Sequence, residues 1–203
     1  MRGRFIVVEG IDGSGKSSMA GHVANELRSL GREVLRTREP GGTPISEQIR
    51  ALLLDPKNSA MVPFAELFLF MASRAQLVEE VIRPSLAKGV DVVCDRYYYS
   101  TAAYQGAAGK VGIDTVLNVA EKIAKFQKPD LVLLLDLNPA VAQSREGIRD
   151  DRVELKGLEY QKKVRAGFLR IARRDRKRIK VVDAARAPEQ VFADIRKAVS
   201  RAL

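Results

Sequence analysis

Residues 10 to 17 read GIDGSGKS, a spacing of glycine, lysine and hydroxyl that fits G-x-x-x-x-G-K-[ST]. An apolar run precedes it, and a helix-compatible stretch follows. Glycines at 10, 13 and 15 allow backbone N–H groups to converge on an anion at a helix N-terminus. Lys16 would reach the outer phosphates of a nucleoside triphosphate, and Ser17 would offer a hydroxyl to Mg²⁺. Ser14 and Ser18 complete the loop and the start of the helix. Two features of this loop are unusual: it contains a carboxylate, Asp12, and it lacks an arginine. Asp12 either accepts backbone N–H bonds within the loop or faces a cation or a substrate hydroxyl across a cleft. The positive charge that phosphoryl transfer requires must come from elsewhere in the chain.

Two further groups could do chemistry. Asp95-Arg96 ends the run VDVVCD, at the edge of an open α/β sheet where ligands bind. The pair is either a structural ion pair or a carboxylate toward Mg²⁺ beside a guanidinium toward phosphate. Phe70 and Arg74, four residues apart, share one helical face. The neighbours of Arg74 on that face, Phe70, Met71, Leu77 and Val78, supply no acid. Arg74 therefore reaches an acid elsewhere in the fold or points at a ligand, and Phe70 either fills the core or stacks on a planar base.

These groups need elements to carry them. Apolar runs occur at 4–10, 33–39, 90–95, 130–137 and 179–184, continuous rather than alternating, as in strands buried on both faces. Helices are expected at about 16–30, 46–54, 63–88 (with Pro84 as a bend), 112–126, 139–147, 157–176 and 188–202. The alternation argues for a parallel α/β sheet covered by helices on both faces. Without repeats or linkers, the 203 residues read as a single domain, 1–203. No apolar run approaches a membrane span, and the short start RFIVVEG reads as a strand rather than a leader. A single cysteine, Cys94, excludes an internal disulfide framework and suits a reducing, cytoplasmic setting; a single histidine argues against zinc. Of the net charge of +10, residues 145–180 hold fourteen Lys/Arg against six Asp/Glu. That excess is a solvated helical face, a polyphosphate-facing lid or a nucleic-acid surface.

Four stretches together, FIVVEGIDGSGKSS, TREPGGTPISEQIR, DRYYYSTAAYQG and DRVELKGLEYQKKVRAGF, resemble the thymidylate kinase family, a group of P-loop nucleoside-monophosphate kinases. LFLFMASRAQLVEEVIRP extends the likeness along most of the chain. The resemblance implies a P-loop NTPase fold with a five-stranded parallel sheet and a short lid, about 144–154. It implies Mg²⁺-dependent transfer of the γ-phosphoryl of ATP to dTMP, and a homodimer. By matching position, Asp12 lies between the two substrates, and Arg38 and Arg96 hold the acceptor phosphate. Glu39 opens the turn EPGG that closes over that phosphate. Phe70 stacks on thymine and Arg74 bonds its O4. Ser100, Thr101, Tyr104 and Gln105 line the base and sugar, with Tyr104 crowding the place of a ribose 2′-OH. Asp95 assists Ser17 at the metal. The missing arginine comes from the lid, where Arg145, Arg149 and Arg152 are candidates and Arg149 is favoured, with Arg145 placed toward the donor nucleotide. Ser18, Ser46, Ser73 and Leu77 depart from frequent family residues, the last two beside the base pocket. The remaining basic cluster, 173–180, is taken as solvated surface, and neither nucleic acid nor membrane is an expected partner. Two alternatives remain: a kinase for another monophosphate or a deoxynucleoside, and a nucleic-acid-dependent ATPase. The second would want a strand ending in Asp-Glu, which neither Asp136-Leu137 nor Asp95-Arg96 provides.

Overall fold

The computed structural model describes residues 2–145 and 151–203. Five strands, β1 (Phe5–Gly10), β2 (Val34–Arg38), β3 (Asp91–Asp95), β4 (Leu131–Asp136) and β5 (Ile179–Asp183), form one sheet in the order β2-β3-β1-β4-β5. Every pairing is parallel. The register sets Val8 opposite Asp95, and Arg38 opposite the same Asp95 on the other side. The C-terminal ends of β1, β2 and β3 therefore open at one level. β1 lies at the centre, where the chain order reverses across the sheet, and the loop after it faces the crevice typical of such sheets.

Burial follows position in the sheet. All six residues of β1 are buried, as are the first five of β4. The expectation that every run is buried on both faces fails at the edges: β2 is only partly covered, and β5 exposes Lys180, Val181 and Asp183. An edge strand has a neighbour on one side only, so its apolar sequence does not guarantee cover.

Helix α1 (Lys16–Ser29) leaves β1 and packs with α9 (Pro188–Ser200) and against β1, β2 and β3. α2 (Pro44–Leu54) is capped by Thr43, whose Oγ1 accepts from Ser46 N at 3.2 Å. α3 (Pro63–Leu77) continues through a π turn, Val78–Ile82, into α4 (Arg83–Ala87). Pro84 thus does not bend a regular helix. It stands in the first turn of α4, where its ring and missing N–H are tolerated.

The sequence reading gave no helix to 98–108, yet α5 (Tyr98–Thr101) runs directly into a second π turn, Ala102–Ala108. α6 (Ile113–Asn118) has a third, Val119–Ile123. α7 (Pro139–Arg145) and α8 (Gly157–Arg174) follow β4, and α8 lies along the 98–108 helix. At that crossing a Cβ on Gly167 would meet the Ala107 Cβ at 2.7 Å and the Ala103 Cα at 3.3 Å. Gly167→Ala should force the two helices apart and lower stability by ~1–3 kcal/mol, the usual cost of overpacking, measured by urea unfolding. Unchanged stability would show that the crossing is looser than this geometry.

Candidate active site

The loop after β1 owes its shape to two glycines. Gly10, at φ 151°, has no room for a side chain, since a Cβ would lie 2.7 Å from Leu135 O. Gly15, at φ 86°, caps α1 in the left-handed region that disfavours other residues. Lys16 is buried, and its Nζ donates to Ile11 O at 2.7 Å with Asp12 Oδ1 3.9 Å away. Burial, then the nearby Arg96, lowers the Lys16 pKa to about 8, against the opposing pull of Asp12 and Asp95.

Asp12 is tied across the cleft rather than within its own loop. Arg96 Nη2 pairs with its Oδ1, Tyr104 Oη donates to Oδ2 at 2.8 Å, and Gln161 Nε2 donates to Oδ2 at 3.0 Å. Burial would raise the pKa of Asp12, but Arg96, Lys16 and the two neutral donors outweigh it and bring it down to about 2. Arg96 adopts φ 69°, uncommon for a side chain of this size. Its Nη1 donates to Gly10 O and to Ser100 Oγ, both at 3.0 Å, and its guanidinium lies 5.1 Å from the Tyr104 ring centroid.

Beneath Arg96 sits a residue the sequence reading passed over. Glu9, at the end of β1 and fully buried, accepts from Tyr97 N at 2.8 Å, Ser100 N at 3.1 Å and Ser100 Oγ at 2.5 Å. It satisfies N–H groups at the start of the 98–108 helix, which has no side-chain cap of its own. Burial raises its pKa to about 7 despite the Ser100 hydrogen bond and the Arg96 charge.

Arg74 resolves the choice left open by the sequence toward an acid elsewhere in the fold. Its Nε and Nη2 contact Glu39 Oε2 at 2.7 and 2.5 Å, and Nη2 also reaches Thr101 Oγ1 at 3.1 Å. The guanidinium lies near the Tyr97 and Phe126 rings, at 5.4 and 6.0 Å. Glu39 Oε1 and Gln105 Nε2 are buried without a hydrogen-bond partner among the described residues. At the other end, Arg38 Nη2 contacts both Glu47 oxygens at 3.0 Å, and Arg50 Nη1 donates to Pro40 O at 2.9 Å. Arg50 was not singled out from sequence. Burial, then repulsion from Arg38, lowers its pKa, and Arg96 adds to that repulsion. Ser17 Oγ meets Asp95 Oδ2 at 2.5 Å, while Asp95 Oδ1 is buried and unpartnered.

These groups line one cleft of about 390 Å³, within the usual range for small-molecule sites. It gathers Asp12, Gly13, Lys16, Ser17, Arg38, Glu39, Phe70, Arg74, Asp95, Arg96, Ser100, Thr101, Tyr104 and Gln105 from six segments of the chain. Gly10, Ser14, Gly15 and Ser18 shape the loop and helix start beside it rather than its wall.

The chain also matches known proteins. A sequence profile described as Thymidylate kinase covers residues 8–195. The chain belongs to the thymidylate kinase family. Among its relatives, the thymidylate kinase of Pelotomaculum thermopropionicum is 42% identical, covering 100% of this chain and 95% of that protein. That of Symbiobacterium thermophilum is 44% identical, over 98% and 94%, and that of Syntrophotalea carbinolica 45%, over 98% and 96%.

The lid arginines assigned by resemblance to thymidylate kinases fare differently. Arg149 lies outside the described residues. Arg145 is exposed and donates to Ala184 O at 3.1 Å. Arg152 needs correction as a catalytic candidate: it is buried, with Nε on Leu53 O at 2.9 Å and Nη2 on Glu66 Oε1 at 2.5 Å, and it does not line the cleft. Asp136, the alternative strand-end acid, is occupied by Arg165 through bonds of 2.7 and 2.9 Å.

Because the Asp12 pKa is depressed, its contribution to stability is present above about pH 4 and is lost as pH falls through 2. That contribution is on the order of 2 kcal/mol. Asp12→Asn should abolish this pH dependence, so the stability gap between wild type and variant should shrink from pH 4 to pH 2. A constant gap in acid unfolding curves would disprove the ion-pair arrangement.

Proposed function

We propose that the protein transfers the γ-phosphoryl group of ATP to dTMP, giving ADP and dTDP. The observation that carries this reading is the two-ended cleft beside the phosphate loop. Its apolar and amide end presents Phe70, Arg74, Thr101 and Gln105, which suit a planar base with polar edges. Its cationic end presents Arg38, Arg50 and Arg96, whose mutual repulsion favours an anionic guest. Asp12 stands between the two ends and the loop.

In this reading Phe70 stacks on thymine while Arg74, held by Glu39, faces the edge of the base. Arg38 and Arg96 fix the acceptor phosphate. One of its oxygens attacks the γ-phosphorus, the bond to the β,γ-bridging oxygen breaks, and ADP leaves. The attacking oxygen is already ionised at neutral pH, so no strong general base is needed. Positioning and charge neutralisation carry the catalysis. Lys16 reaches the outer donor phosphates from the loop. The tightly held Asp12 keeps Arg96 aimed while balancing part of its charge. Ser17 and Asp95 suit Mg²⁺: both offer oxygen ligands, and the unpartnered, buried Asp95 Oδ1 needs a polar neighbour. When bound, Mg²⁺ would neutralise charge on the donor phosphates. The lid, 144–154, with Arg145 and Arg149, is the source of a further cation.

The finer expectations are part of the same proposal. A reduced cytosol suits Cys94, a buried free thiol whose pKa burial raises. No helix among the described residues is long and apolar enough to cross a membrane. A homodimer is supported by the apolar residues Ile45, Leu52, Phe64 and Phe68, which α2 and α3 expose to solvent.

Turnover measured with dTMP, dUMP, dCMP, dGMP and thymidine should be fastest with dTMP. The thymine methyl is worth only ~1–3 kcal/mol, so dUMP should be poor but measurable. Faster turnover of any other acceptor would overturn the assignment. Light scattering should give twice the chain mass, and Phe68→Asp should halve it. A monomeric wild type would remove the dimer.

A further inference from the structure

The last four carbonyls of α2 lie beyond the reach of intrahelical donors, and each has a partner from outside the helix. Asp55 N donates to Ala51 O at 3.1 Å, and Asn58 Nδ2 to Leu52 O at 2.9 Å. Both of the remaining carbonyls are taken by one distant residue. Arg152 Nε donates to Leu53 O at 2.9 Å and Arg152 N to Leu54 O at 3.0 Å. The rest of the guanidinium turns to Glu66 in the first turn of α3, buried like Arg152 itself. Lys156 adds a second cation to Glu66 at 3.3 Å while lying 4.9 Å from the Tyr160 ring centroid.

Arg152 and Glu66 thus fasten three separate pieces of chain together: the end of α2, the start of α3 and the segment from 151. Each of these pieces sends side chains into the cleft. Leu54 comes from α2, Asp151 and Val153 flank Arg152, and Phe70 stands one helical turn after Glu66. Removing one member of a buried pair leaves the other charge stranded, so the fastening is sensitive to either residue.

We propose that Arg152 and Glu66 form a clamp that positions the base-side wall of the cleft. Arg152 then serves the reaction as a positioning residue, not as a cation on the phosphoryl group in flight. The proposal rests on the dTMP reading above.

The test compares steady-state constants for wild type, Glu66→Gln, Arg152→Ala, Arg152→Lys and the Glu66→Gln/Arg152→Ala double variant. A clamp predicts that Glu66→Gln and Arg152→Ala each lower kcat/KM for dTMP by ~10–100-fold, the scale of an ångström of misplacement. The loss should fall mainly on KM for dTMP, leaving KM for ATP unchanged, and the double variant should be no worse than either single one. Arg152→Lys, which keeps a charge beside Glu66, should recover part of the loss. A transition-state cation predicts the opposite split. Glu66→Gln would then keep the wild-type KM for dTMP, whereas Arg152→Ala would lose ~10³-fold or more in kcat. That result, or additive losses in the double variant, would overturn the clamp. If Arg152→Ala fails to fold by circular dichroism, Glu66→Gln, which keeps the size and an acceptor oxygen, decides the matter alone. If the wild type turns over a different monophosphate, the dTMP reading falls, and the same KM comparison on that acceptor still judges the clamp.

Discussion

A carboxylate and a guanidinium held side by side in a water-poor cleft govern the rest of this site. Asp12 belongs to a loop built to receive phosphates, and a lone negative charge there would repel them. Arg96 removes that difficulty, and Asp12 in turn keeps Arg96 from wandering. Tyr104 and Gln161 hold the other carboxylate oxygen, so the acid cannot rotate without breaking several bonds at once. In a low-dielectric setting such a network is strong when complete and costly when one member is lost. The left-handed backbone at Arg96 belongs to the same arrangement, because it turns the guanidinium back over Gly10 O.

The sheet makes this meeting possible. Parallel register brings the ends of β1, β2 and β3 to one level, so loop, arginine strand and acid strand open together. Glu9 extends that order one layer down. As the last acidic residue of the central strand, it receives the first N–H groups of the helix that carries Tyr104 and Gln105. A sheet residue thereby fixes the start of a site helix, and through Ser100 it also steadies Arg96.

What could be read from sequence was whatever is local. The phosphate loop is contiguous, so its glycines, lysine and serine declared both its shape and its task. The five strands were visible as apolar runs, since buried parallel strands need little else. Partnerships across the chain were not visible. Asp12 meets Gln161 from 149 residues away, and no pattern in either segment announces the meeting. Arg74 looked free of acids because its helix holds none nearby, yet Glu39 comes from the turn after β2. For Arg152 the residue type was informative but its direction was not. An arginine in a basic stretch suggested a phosphate partner, and only the fold shows it capping α2 and pairing with Glu66. The helix at 98–108 was missed because tyrosine, threonine and glycine are weak helix formers, and tertiary contacts with α8 override them.

The π turn at 102–108 makes the site intolerant of changes in chain length. A regular helix advances about 100° per residue, and the wider turn accommodates one residue more than the regular spiral would. Deleting a single residue there could restore ordinary helical bonding, and local secondary structure would look improved. Every side chain beyond the deletion would nevertheless swing by about a quarter-turn around the axis, carrying Gln105 or its successor out of the cleft. Substitutions can be absorbed in this stretch one side chain at a time, whereas a missing residue would scramble the whole wall.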